Sequence, residues 1–311
     1  MAEVVEVRVP SSDGVSALWV THWKPEGEPR AVLQLVHGMT EHMGRYDEFA
    51  QFLAAEGIAV IGHDQLGHGR TAASKEDMGF FADHNGVAYL IQDIQRVGRV
   101  GERLYPGLPR FLLGHSMGSF LARRYLTRYG REVDGAILMG TGDYPTAVLL
   151  VALAAVNLTA LIRGDRCHSR FLHGLVLGNY NRKIPSARTG SDWLSRDEAR
   201  VDRFVADPYC QFRFTCSAYR DFFRVMLELK SRRLLKRMPR ELPVFLVSGS
   251  EDPVGDYGRG VKRLFSRYRA MGLRDVEMKL YEGSRHEILN DLEREKVCED
   301  LKAWMFRHMG R

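Results

Sequence analysis

The stretch FLLGHSMGSF (residues 111–120) decides how the rest of the chain reads. Three apolar residues run into Gly114, and Ser116 is fenced by Gly114 and Gly118. An ordered glycine costs backbone entropy, so two of them around one serine need a reason. A turn too tight for neighbouring side chains supplies it. The pattern is G-x-S-x-G, with a buried strand before it and a helical period after it, over 117–129. On such an elbow the serine backbone is strained and its hydroxyl stands above the sheet. The Met117 N–H is then free at a helix N-terminus to meet a developing oxyanion.

Working outward, apolar or alternating runs predict strands at 4–9, 15–23, 31–38, 58–64, 110–116, 133–140, 243–250 and 276–283. The first two form a hairpin around SSDG. Helical periods fill 45–56 and 86–103, and a helix follows each of the last two strands. Continuously apolar strands alternating with helices predict an α/β fold: a mainly parallel sheet covered on both faces. The alternation stops between 141 and 240, where helical periods occur without a strand. That segment is expected to be a helical lid over the strands' carboxyl ends, where open α/β sheets bind ligands. The catalytic body would then be 1–140 plus 241–311.

With 311 residues and 45% hydrophobic content, the chain can bury a large core. A net charge of +6 would admit a nucleic-acid partner. No helix-turn-helix, zinc-finger or RNP signature accompanies it, so no nucleic acid is expected, only a mild bias toward anionic surfaces. The start of the chain lacks a basic region followed by an apolar run. The four cysteines have no C-x-x-C spacing and read as reduced thiols, and a cytoplasmic location is expected. Residues 146–162, TAVLLVALAAVNLTALI, reach only the lower length limit for a membrane span. A buried or surface-docked helix is the better reading.

A serine nucleophile needs a base, and the base needs an orienting carboxylate. On an elbow of this kind the chain order is serine, acid, histidine. The strand at 243–250 runs into Glu251, Asp252 and Pro253; the strand at 276–283 runs into Arg285 and His286. Asp252 and His286 are therefore the candidates. Asp252 is favoured because a residue before proline is biased to extended backbone. Glu251 and Asp256 are rival acids, and helix capping is an alternative role for Asp252. A second oxyanion donor is expected from the loop after the third strand, at Met39 N–H, with Gly38 letting the backbone approach the substrate.

HGMTEHMGRYDEFA, GHDQLGHGRT, LLGHSMGS, GSEDPVG and EGSRHEILN together resemble the monoacylglycerol lipase and lysophospholipase group of α/β-hydrolases. The H-G-x-x-E-H-x-x-R-Y and D-x-x-G-H-G runs are much more specific than G-x-S-x-G alone. The resemblance implies an α/β-hydrolase fold with a helical cap. It also implies Ser116, Asp252 and His286 as triad and Met39 and Met117 as oxyanion donors. The cap run DWLSRDEARVDRFVADPYCQFRFT resembles bacterial members of the group.

The expected activity is acyl-ester hydrolysis through an acyl-enzyme, on monoacylglycerol or lysophospholipid, without a cofactor. A small-ester esterase, a serine aminopeptidase and a non-catalytic binder on the same scaffold are the rivals. Gly38, His42, Leu150 and Leu153 are the substrate-contact candidates, and the lid is expected to touch a membrane peripherally. His63, Asp64 and His68 read as a turn network rather than a metal site. His37 and His115 read as packing groups behind the site, and Glu41 with Arg45 as a loop brace. Cys210 and Cys216 are not expected to pair. The basic run 231–240 reads as a solvated helix end, with a headgroup contact as the alternative.

Overall fold

The computed structural model describes residues 1–310. Eight strands form one sheet: β1 Val4–Pro10, β2 Ala17–Trp23, β3 Ala31–Val36, β4 Ile58–His63, β5 Arg110–His115, β6 Gly135–Met139, β7 Val244–Gly249 and β8 Val276–Tyr281. Their order is β1-β2-β4-β3-β5-β6-β7-β8. β1 pairs with β2, and β2 with β4, antiparallel; from β4 onward every pairing is parallel. All eight lie where the patterns predict, seven with ends trimmed by one or two residues and β1 extended by one, to Pro10.

The central strands bury both faces. In β3, Val32 and Val36 join one hydrophobic cluster while Leu33 and Leu35 join the other. In β5 the split is Leu112 against Phe111 and Leu113, and in β7 it is Leu246 against Phe245 and Val247. Period-2 geometry requires this, and it explains why these strands are apolar without alternation. Helices α1 (Asp47–Ala55) and α10 (Arg294–His308) cover one face through Phe49, Leu53, Leu301 and Trp304. On the other lie α2 (Gly86–Leu104), α3 (Met117–Tyr129) and α9 (Arg259–Ala270). Each fully buried leucine or valine contributes about 1.5–3 kcal/mol, which fixes the strand ends relative to one another.

The connection from β6 to β7 carries α4 (Thr146–Arg163), α5 (Arg170–Leu177), α6 (Glu198–Ala206), α7 (Cys216–Glu228) and α8 (Arg232–Leu235), and no strand. α7 packs on α2 and α3, and α4 packs on α7. Of α4's side chains only Leu149 and Val156 are fully buried. Val148, Leu150, Val151, Leu158, Leu161 and Ile162 are exposed. By length and composition α4 is apolar enough to cross a membrane. Here it lies across the helices of a folded body.

The basic run ends just before β7 begins, so it sits at the N-terminal end of the parallel strands, opposite the end that carries Ser116. Its Arg232, Arg233, Lys236 and Arg237 are exposed, while Leu235 and Met238 anchor it. This is a solvated helix end, remote from the cavity described next.

Candidate active site

Ser116 joins β5 to α3 with φ at 51°, a backbone angle few residues but glycine adopt. The strain is held by neighbours. Its N–H donates to the Met139 carbonyl at 2.9 Å, and its own carbonyl accepts the Ser119 N–H at 2.8 Å. The flanking glycines are steric necessities. A Cβ on Gly118 would lie 2.1 Å from the Val36 carbonyl oxygen, and one on Gly114 would lie 2.4 Å from the Gly118 carbonyl oxygen.

The loop after β7 places Asp252, fully buried, against His286 in the loop after β8. His286 Nδ1 donates to Asp252 Oδ1 at 2.9 Å. Ser248 Oγ donates to Oδ2 and the Val254 N–H to Oδ1, each at 2.9 Å. Burial opposes ionisation of Asp252. The adjacent imidazole and these three donors outweigh it and hold the carboxyl below its ordinary value. The His286 ring lies between His115 and Trp193, with centroids at 4.8 and 5.0 Å. A Cβ on Gly140 would come within 2.9 Å of the ring, so glycine is needed there too. Of the rival acids, Glu251 is exposed and Asp256 bonds Arg259 and Arg263.

The loop after β3 is braced by buried polar groups. The Gly38 N–H and the Tyr46 hydroxyl both donate to Glu41 Oε1. The Thr40 N–H donates to His68 Nε2 at 3.3 Å. Neither the Met39 nor the Met117 N–H has an acceptor among the described residues, and both residues line the cavity. Arg45 bridges Glu41 (2.9 Å) and both oxygens of Glu287 (2.6 Å each), tying this loop to the one carrying His286. Burial disfavours the Glu41 charge. His115, whose Nδ1 lies 3.0 Å from Oε1, and then Arg45 hold the carboxyl well below its ordinary range. Glu41 in turn raises His115 against its own burial. The expected Glu41–Arg45 brace is therefore present, and Glu287 extends it.

His37, Asp64, Gln65 and His68 form the turn network, and the His63 ring stands outside it. His37 donates from Nδ1 to the Gly38 carbonyl and accepts the Gln65 N–H at Nε2. Asp64 accepts the amides of Met43 and Arg70. These bonds engage His37 and Asp64, whereas the two ring nitrogens of His63 make none.

Ser116 and His286 open onto one cavity of about 450 Å³. Its walls include Phe120, Tyr144, Tyr180, Trp193, Phe204 and Met226. Four expected substrate contacts fall outside that wall. Gly38 packs against Glu41 and Ser116, and acts by its lack of a side chain. His42 turns to the β6–β7 connection, where its Nε2 donates to Asp207 at 2.9 Å and its ring tilts against Tyr209. Leu150 points to solvent and Leu153 packs into the core. The lining positions of α4 are Ala147, Val148, Leu149, Val151 and Ala152. Val148, Val151 and Ala152 form an i, i+3, i+4 stripe, which puts Leu150 and Leu153 on other sides of the helix. The aromatic walls went unseen in the sequence. Trp193, in DWL, had only its bulk to mark it.

Residues 27–293 match the family described as "Serine aminopeptidase, S33". Monoacylglycerol lipase of Mycolicibacterium smegmatis is 28% identical over 92% of both chains. Monoglyceride lipase of Rattus norvegicus is 30% identical over 93% of this chain and 86% of its own. A thermostable carboxyl esterase from Bacillus coagulans, solved with glycerol, superposes with a TM-score of 0.90, at 28% identity and 99% coverage of both chains. A match this long, on an elbow serine and an apolar cavity, places the chain in the serine aminopeptidase family of α/β-hydrolases, as a monoglyceride lipase-like serine ester hydrolase.

Proposed function

We propose that this chain hydrolyses monoacylglycerols or closely related single-chain acyl esters through Ser116, His286 and Asp252. The observation that carries the reading is the Asp252–His286 bond at the rim of an apolar cavity that also holds Ser116. The Asp252 bond fixes a proton on Nδ1, which leaves His286 Nε2 as the base. Nε2 takes the Ser116 proton as Oγ attacks the ester carbonyl. The Met39 and Met117 N–H groups receive the oxyanion. The imidazolium returns the proton to the leaving alcohol, then activates water to release the acid.

The helices of residues 141–240 act as a lid whose inner side takes the acyl chain. Each methylene buried there contributes about 0.8 kcal/mol. The bare residues of α4, with Phe171 of α5, suit a lipid surface, and peripheral contact with a bilayer follows from that face. Peptide cleavage from a free amino terminus is disfavoured by charge. Glu41 and Glu287 are the cavity's carboxylates among the described residues, and Arg45 and His115 already hold them. An incoming ammonium finds no uncommitted partner.

The test is a chain-length series of p-nitrophenyl esters and monoacylglycerols beside an aminoacyl amide, on enzyme titrated with a fluorophosphonate. The expected kcat/KM rises several-fold from two-carbon to medium chains, with the amide far below. A flat or falling series, or amide turnover matching the esters, overturns the lipid reading. Absence of fluorophosphonate labelling overturns the catalytic one.

A further inference from the structure

Two cysteines far apart in sequence meet in the lid. Cys167 follows the C-cap of α4, and Cys216 is the first residue of α7. The Cys216 N–H donates to the Cys167 carbonyl at 3.0 Å, and the Ser217 N–H donates to the Asp165 carbonyl at 3.0 Å. Arg220 clamps the same turn through Asp165 at 2.6 Å. Cys167 packs against the cluster that buries Cys216, and its thiol is near enough to act electrostatically on the Cys216 thiol. A single N–H···O bond of 3.0 Å sets the two cysteines on adjacent stretches of main chain, the close approach that a disulfide requires. Cys210 lies elsewhere, packed with Trp193, Leu194 and Phe204.

We propose that Cys167 and Cys216 form a reversible disulfide that fastens the end of α4 to the start of α7, with a small-molecule disulfide such as glutathione disulfide as the oxidant. Cys167 is half-buried and Cys216 is fully buried, so the oxidant meets Cys167 first. The Cys167 thiolate attacks one sulfur of the oxidant. That S–S bond breaks, and one glutathione leaves and picks up the proton that Cys167 lost. The Cys216 thiol then gives up its proton and attacks Cys167 Sγ, and the second glutathione leaves as a thiol. Two protein thiols are oxidised and one glutathione disulfide is reduced to two thiols. Burial, then the neighbouring Cys167, pushes the Cys216 thiol up to about 11, so the closing step is the slow one and quickens with pH.

The bond has a mechanical consequence. α7 is seated on α2 and α3, whereas α4 rests chiefly on α7. The bridge therefore pins the bare helix to the catalytic body. It also closes the loop of residues 168–215, which holds Tyr180, Trp193 and Phe204 of the cavity wall. On the lid reading above, oxidation slows long-chain turnover while sparing small soluble esters.

The experiment treats the full chain with a glutathione disulfide series, followed by non-reducing peptide mapping, thermal melts and paired assays on p-nitrophenyl acetate and a long-chain monoacylglycerol. The expected product is a Cys167–Cys216 cross-linked peptide. It comes with a Tm higher by several degrees, reversed by dithiothreitol, and a several-fold loss confined to the long-chain substrate. Cys167→Ser should abolish the cross-link and the Tm shift, and Cys298→Ser should keep both. Cys167 is half-buried, so its variant remains informative if Cys216→Ser fails to fold. A stable glutathione adduct on Cys167 without a cross-link, or a cross-link through Cys210 or Cys298, overturns the proposal. The mapping reads the bond whether or not the chain cleaves monoacylglycerols, so its failure is separable from failure of the lipase reading.

Discussion

At Gly118 an added methyl would sit 2.1 Å from the backbone of β3, whereas at Gly174 in α5 nothing lies within 4 Å of the same position. Gly114 shares the first condition; Gly164 and Gly190 share the second. Both glycines of the elbow beneath the cavity meet main chain, while Gly164 after α4 and Gly174 in α5 above it meet open space. Between them is a third kind of packing. The segment around 192–200 is stitched to the loop of His286 by polar bonds. Arg285 donates to the carbonyls of Asp192 and Ser195, the Glu287 N–H donates to Leu194, and Arg196 holds Asp291. The floor of the cavity is thus fixed by sterics and one side of its wall by hydrogen bonds. The α4 wall rests on apolar contact along its length, with hydrogen bonds to α7 only at the turn beyond its end. Chemistry should depend on the floor and chain-length preference on the α4 wall.

The largest expected effect is at the floor. Ser116→Ala should leave the melting curve nearly unchanged and lower ester turnover by about 10⁴-fold or more. A variant retaining over a tenth of wild-type kcat, with active wild-type contamination excluded, would break the comparison at its base.

Asp252→Asn should cost about 10⁴-fold in kcat, because the amide no longer fixes the proton on His286 Nδ1. Glu251→Gln, one residue away but exposed, should cost less than about twofold. The reverse ranking would move the orienting carboxylate to Glu251.

The wall separates two neighbouring helix positions. Val151 lines the cavity and Leu150 faces away from it. Val151→Asp should lower kcat/KM for a medium-chain monoacylglycerol about tenfold, close to the value of two buried methylenes, and leave p-nitrophenyl acetate within twofold. Leu150→Asp should spare both soluble assays and reduce binding to vesicles in a flotation experiment. Equal losses on all substrates for both variants would make α4 ordinary packing.

How much was legible follows the same division. The strands, the elbow and the order Ser116, Asp252, His286 were readable because each rests on a local rule: period, tight-turn glycines, residues just past a strand end. The β6–β7 connection was readable only as helical. Which of its rings reach the cavity depends on how the chain reverses between α5 and α6, and no local rule fixes that for Tyr180 or Trp193. Leu150 and Leu153 were misplaced because a helix apolar on nearly every side gives no phase. His42 was misplaced because its partner, Asp207, lies in the β6–β7 connection, far away in sequence. Cys167 and Cys216 met by the same kind of long-range closure.

The smallest effect tests how closed the floor is. His63 ends β4, is fully buried, and neither ring nitrogen has a partner among the described residues. Burial, then the nearby His37, pushes its pKa down to about 3. The unfolded chain binds a proton at this residue near pH 6.5, whereas the folded chain does not until the pH falls to about 3. Acidification across that window therefore draws the equilibrium toward the unfolded state, by about 1.4 kcal/mol per pH unit for this one group. His63→Leu removes the titration and two unpartnered polar atoms while keeping similar volume. At pH 7 the variant should lie within about 1 kcal/mol of wild type. By pH 5 it should have gained about 2 kcal/mol relative to wild type. Urea unfolding at pH 7, 6 and 5 measures the difference. Parallel curves would mean that His63 takes up its proton in the folded chain, and that water reaches a floor that sterics should have sealed.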